Sequence, residues 1–156
     1  MELDLVESED GIAIAVTDNG PGMDEDTRRR ALDPFYSDGR KHPDRRVGLG
    51  LPFVQQIADA TGGRFVLESA AGTGTRVELE IPAMHPDAPP FSDAAGCFAT
   101  LLAMGGIHEL VIRRRSTGGS YELRRSDLME ALGELESVGS QVLLREYITS
   151  QEGTHR

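Results

Sequence analysis

Two glycine clusters constrain this chain more than any other feature: Asp18 to Gly22 (DNGPG) and Gly48 to Gly50 (GLG). Glycine and proline at this density end strands and helices and mark tight turns. Glycine also lets backbone N–H groups come close to a ligand with no Cβ in the way. The first cluster follows an alternating run in which Ile12, Ile14 and Val16 are interleaved with Ala13 and Ala15. The second opens a segment whose apolar residues Leu51, Val54, Ile57 and Ala58 recur at helical spacing. Between them Ser37 to Val47 has no periodicity and carries Arg40, Lys41, Arg45 and Arg46. A strand, an acid with glycines, a basic loop and glycines opening a helix together build a nucleotide pocket.

The chemistry of the parts agrees with that. A helix start offers unpaired N–H groups and the positive end of a dipole to phosphate. An Asp18 carboxylate can only accept hydrogen bonds, which suits an exocyclic amine. Two familiar alternatives fail. A Walker-type loop needs Gly-x-x-x-x-Gly-Lys-Ser/Thr, and no such run is present. A dinucleotide fingerprint needs Gly-x-Gly-x-x-Gly after a strand. The run at Gly48 lacks the third glycine and follows a charged loop.

The remaining elements follow from local signals. Glu2 to Glu7 alternates apolar and acidic residues, and with the Ile12 run it predicts a hairpin across Ser8 to Gly11. Asp24 or Asp26 is expected to cap a short helix through about Leu32. Pro52 suits a first helical turn, and Gly62-Gly63 suits the end of that helix. Arg64 to Ser69 and Thr75 to Ile81 alternate as strands joined across Ala70 to Gly74. Met84 to Pro90 holds three prolines and reads as a linker. Beyond it, Ser92 is expected to cap a helix through Met104 with Phe98, Leu101 and Leu102 on its apolar face. His108 to Arg114 and Ser120 to Arg124 predict a second hairpin. Ser126 is expected to cap a helix ending near Gly133. A last helix from about Ser140 to Ser150 is expected to bury Val142, Leu143, Tyr147 and Ile148, and Cys97 is expected in the core. The domains are then 1–83, a linker at 84–90, and a small α+β domain at 91–152.

Composition narrows the class. The formal charge of −10 argues against broad nucleic-acid binding, which needs a basic face. No apolar run reaches the roughly 20 residues that a bilayer crossing requires. With no secretory signal visible and a single cysteine, a cytoplasmic protein is expected. None of His42, His85, His108 and His155 sits in a helical phospho-acceptor context.

Four boxes occur in order: Asp18 to Gly22, Asp33-Pro-Phe35, Gly48-Leu-Gly50-Leu, and Gly72-Thr-Gly74-Thr75. Over Glu2 to Pro82 the chain resembles the ATP-binding domain shared by gyrase, the large heat-shock chaperone ATPases, histidine kinases and MutL. The histidine-kinase branch is the nearest, through the Asp-Pro-Phe box and the Gly-Thr-Gly-Thr hairpin. Pro89 to Asp93, Val111 to Arg115 and Ser140 to Tyr147 resemble the tail of small stand-alone ATP-binding proteins of anaerobic bacteria, often found beside iron hydrogenase genes. The resemblance implies a two-layer α/β sandwich of the Bergerat type, with a mixed, mostly antiparallel sheet and a small α+β appendage. It implies ATP with Mg²⁺ as the ligands. Asp18 would bind the adenine amine, Gly20 and Gly22 would pass the adenine and ribose, and Phe35 would pack where the lid leaves the body. Lys41 or a neighbouring arginine would meet the γ-phosphate. Gly48, Leu49 and Gly50 would line the phosphates, and Thr75 would reach the adenine beside Asp18.

The family places an asparagine-bearing helix, whose asparagine holds Mg²⁺, before the first hairpin. Asn19 is the only asparagine of this sequence and already belongs to the Asp18 box. That helix is therefore expected to be missing, through a misplaced gene start or a fragment rather than a loss of catalysis. Without it, Leu3, Leu5, Ile12 and Ile14 are expected to be exposed, and self-association and weak nucleotide binding follow. The function expected from the resemblance is transfer of the ATP γ-phosphoryl to a separate protein acceptor. The rivals are an anti-sigma-type Ser/Thr kinase and a non-catalytic nucleotide-sensing module acting on a regulator.

Overall fold

The computed structural model describes residues 1–34, 49–86, 93–106 and 108–154. They fall into two compact units, Asp10–Ala88 in one and Met1–Glu9 with Pro89–Arg156 in the other. The first strand, β1 (Glu2–Ser8), belongs to the second unit, and β2 (Gly11–Asp18) to the first.

In the Asp10–Ala88 unit the sheet is antiparallel. Strand β4 (Gly74–Pro82) lies between β2 and β3 (Arg64–Ala70). Helix α1 (Glu25–Arg30) starts at Asp24, whose Oδ1 accepts the Thr27 N–H at 2.7 Å. That bond holds the Asp24 carboxyl below the usual carboxylate range. Glu25 and Asp26 in the first turn and three arginines in the last complement the helix dipole. Helix α2 (Gly50–Thr61) sets Val54, Ile57 and Ala58 against Phe65, Leu79 and Ile81, which forms this unit's core. It ends as expected at Gly62, in the left-handed region at φ +64°. Ile12 and Ile14 are half-buried, and no residue of β2 is fully covered.

The second unit mixes strand directions. β1 runs parallel to β5 (Val111–Ser116), which pairs antiparallel with β6 (Gly119–Arg124). With α3 (Ala94–Ala103), α4 (Arg125–Leu132) and α5 (Val138–Thr154), these strands complete an α/β fold with parallel and antiparallel ladders. Leu5, Phe98, Leu102, Ile112, Leu144 and Ile148 are its buried core. Leu5 is thus covered, contrary to the expected exposure, on a strand that pairs with β5.

Other local expectations are corrected here. Asp93 caps α3, accepting the Gly96 N–H at 2.9 Å, and Ser92 lies outside the described residues. Helix α4 begins at Arg125, directly off β6, with no side-chain cap from Ser126. The buried row of α5 is Ser140, Leu144 and Ile148, at i, i+4 and i+8, while Val142, Leu143 and Tyr147 stand exposed. Cys97 is exposed because α3 buries Ala94, Ala95, Phe98, Ala99 and Leu102, the face opposite to it.

A charged network ties this unit together. Arg113 meets Glu2 at 2.7 Å and Glu122 at 2.9 Å. Arg114 is buried and pairs with Glu7, and with Glu152 at 3.2 Å. Glu152 also accepts the Tyr121 hydroxyl. Burial, and then this bond, push the Tyr121 phenol far above its ordinary value. Its folded value is the raised one, so its contribution to stability is complete below about pH 10 and is lost as pH rises beyond it. The phenolate band of Tyr121 is expected to be absent at pH 10.5 while the chain stays folded. Tyr121→Phe is expected to flatten the alkaline limb of the stability curve. A full tyrosine titration at pH 10.5 without unfolding would contradict this.

Candidate nucleotide site

The DNGPG turn leaves the end of β2 and lies on the β3–β4 hairpin. Gly72 N–H donates to the Pro21 carbonyl at 2.7 Å, and Met23 N–H donates to Ser69 Oγ at 2.8 Å. Both approaches are close. A Cβ on Gly22 would stand 1.9 Å from the Ala70 carbonyl oxygen, and one on Gly74 would stand 2.0 Å from that of Asp18. These glycines therefore satisfy a backbone-to-backbone contact inside the chain, a requirement separate from any ligand.

Asp18 folds back on its own turn, with Oδ1 accepting the Gly20 N–H at 2.7 Å. It is paired across the ladder with Thr75, and Thr75 is paired with Ser69. Directly opposed residues of a sheet point to one face, so Ser69, Thr75 and Asp18 form a single cross-strand row. The row borders an open cavity of about 340 Å³, also lined by Thr17, Arg28, Glu68 and Arg76. That volume is at the lower end for a small-molecule site. Arg76 is anchored by Glu78 at 2.7 Å and by the Thr17 hydroxyl at 3.1 Å.

Leu49 and Gly50 of the second glycine cluster do not line this cavity. Leu49 is the N-cap of α2 and makes no side-chain capping bond. A Cβ on Gly50 would meet nothing within 4 Å. Leu49 and Gly50 line a separate cavity of about 820 Å³ with Leu32, Pro34, Pro52 and Phe53. Asp18, Gly20, Gly22 and Thr75 are thus brought together, Leu49 and Gly50 are not joined to them in one described cavity, and Phe35, Lys41 and Gly48 lie outside the described residues. Ser69, Arg28 and Arg76 are additions that sequence reasoning missed. Ser69 has no local signature, since only the β3–β4 register brings it to Thr75. A cavity of about 980 Å³ lies in the other unit around Arg114 and contains none of the predicted residues.

An acceptor row beside a glycine turn offers lone pairs to a ligand that donates hydrogen bonds. Residues 1–85 match the histidine kinase-, DNA gyrase B- and HSP90-like ATPase family. The chain belongs to that family, and ATP binding is the property the family implies.

The chain is 37% identical over 73 residues to the alginate biosynthesis sensor protein KinB of Pseudomonas aeruginosa, a match covering 47% of this chain and 12% of that protein. It is 40% identical over 83 residues to the sensor-type histidine kinase PrrB of Mycobacterium leprae, covering 53% and 18%. It is 37% identical over 84 residues to the sensor-like histidine kinase SenX3 of Mycolicibacterium smegmatis, covering 53% and 22%. The chain therefore spans less than a quarter of the length of these three relatives. No helix among the described residues is long and apolar enough to cross a membrane.

Proposed function

We propose that this chain is the nucleotide-binding part of a histidine-kinase-like phosphotransferase, which presents the γ-phosphoryl of ATP to a separate protein acceptor in signal transduction. The observation that carries the reading is the Ser69–Thr75–Asp18 row beside the DNGPG turn. The acceptors of Asp18 and Thr75 match the amine of adenine, and the relatives are named as sensor kinases. In this reading Asp18 and Thr75 hold the base, and Gly20 and Gly22 shape the turn beside it. Gly48, Leu49 and Gly50 present N–H groups to the phosphates. Lys41 or a neighbouring arginine neutralises the γ-phosphate in this reading.

Among the described residues no group of three His, Cys, Asp or Glu side chains could hold a metal ion. What the chain's own residues supply is binding, orientation and charge neutralisation, which is most of what phosphoryl transfer asks of a protein.

Asp18→Asn tests the base contact. It keeps the shape and replaces an acceptor oxygen with a donor. A charge-assisted hydrogen bond is worth roughly 1.5–3 kcal/mol, so ATP affinity measured by calorimetry is expected to fall about ten-fold or more. An unchanged affinity would remove Asp18 from the adenine site. Transfer of label from γ-labelled ATP to a histidine-bearing acceptor chain is the assay for the reaction itself.

A further inference from the structure

The hydroxyl of Ser69 has three partners and only one hydrogen. It donates to the Gly74 carbonyl at 2.9 Å and accepts the Met23 N–H at 2.8 Å. Its third partner is Thr75 Oγ1, at 3.0 Å. A carbonyl can only accept, so the Ser69 hydrogen is committed to Gly74. The remaining contact therefore has Thr75 as its donor. Thr75 has then spent its own hydrogen on Ser69 and turns only lone pairs toward the cavity. Asp18, next in the row, also offers only acceptor oxygens as a carboxylate, one of them already taken by Gly20.

We infer that Ser69 is a positioning residue that sets the hydrogen-bond polarity of Thr75, making the row an acceptor-only reader of the purine 6-position. The inference rests on the nucleotide reading above and adds how discrimination is built. Adenine presents an amine at that position, and hypoxanthine presents an oxygen. With Ser69 in place, an incoming oxygen meets lone pairs from both Thr75 and Asp18. Without it, the Thr75 hydroxyl is released to rotate and donate to that oxygen.

The test compares the binding of ATP and inosine triphosphate by calorimetry on the full chain. In Ser69→Ala the ATP preference is expected to drop about five-fold, the value of one neutral hydrogen bond. Ser69→Thr, which keeps the hydroxyl, is expected to restore it. In a Thr75→Val background Ser69→Ala is expected to leave the preference unchanged, because Ser69 acts through Thr75. A merely structural role would weaken both nucleotides together and leave their ratio intact, which would overturn the inference while leaving the nucleotide site standing. If Ser69→Ala does not fold, Thr75→Val alone decides: an undiminished ATP preference there overturns the inference. Failure of the unaltered chain to bind either nucleotide would overturn both this inference and the nucleotide reading.

Discussion

Gly22→Ala is expected to destabilise the Asp10–Ala88 unit by about 2–5 kcal/mol and to abolish nucleotide binding with it. Two effects add. Gly22 sits at φ +65°, where a residue with a Cβ loses roughly 1–2 kcal/mol. The new Cβ would also lie 1.9 Å from the Ala70 carbonyl oxygen and 3.0 Å from that of Gly74. Those are backbone atoms at the end of the β3–β4 ladder, so relief requires moving the turn or opening the hairpin, an overpacking cost of about 1–3 kcal/mol. Gly72→Ala separates the two effects. Gly72 sits at φ +83° with nothing within 4 Å of its Cβ position, so it is expected to lose only the strain part. Urea unfolding of both variants measures the difference, and equal losses would show that the close approach at Gly22 carries no energy.

In the other unit, removing both acids around Arg114 is expected to cost more than removing the arginine. The Arg114 side chain is 5% exposed, whereas those of Glu7 and Glu152 are 43% and 30% exposed. Glu7→Ala combined with Glu152→Ala removes two carboxylates from a buried guanidinium that keeps its bond to the Arg115 carbonyl, and breaking a buried ion pair costs about 3–5 kcal/mol. Arg114→Met puts apolar volume in the buried position and leaves two carboxylates that can turn to water, at an expected cost under about 2 kcal/mol. Glu152 also loses its bond to Tyr121 in the double variant, so the Tyr121 phenol should titrate lower than in the unaltered chain while burial still holds it above its ordinary value. Thermal melting of the two variants decides the order, and a more damaging Arg114→Met would mean that the packing of the arginine stem dominates over its charge.

The parts of this molecule that were legible in its sequence are those governed by neighbours a few residues away. Asp24 as a cap, Gly62 as a helix end, the DNGPG turn and the alternation of Arg64 to Ile81 all depend on short-range geometry. The same holds for the ordered boxes from Asp18 to Thr75 that place the chain in its family. Misreadings arose where a local pattern had two solutions. Val142, Leu143 and Tyr147 read as a buried stripe, yet the row through Ser140, Leu144 and Ile148 is the buried one. An apolar residue on a helix reports burial only once the packed face is known. Ser126 looked like a cap, but the chain passes from β6 into α4 without a break.

What only the tertiary structure decided is pairing over distance. β1, which carries the buried Leu5, lies parallel to a strand more than a hundred residues further on, and nothing near Leu5 specifies that partner. Arg114 is an interior charge because Glu7 and Glu152 converge on it from the two ends of the chain. Ser69, an ordinary serine in an ordinary strand, becomes the hydrogen-bond node of the candidate site through register alone. A slip of one residue in β3 would turn its hydroxyl to the opposite face. Sequence determines propensities, turns and the order of the motifs through local sterics. The partners of a buried charge or a strand row are chosen by long-range closure, whose energy is shared among many weak contacts and written at no single position.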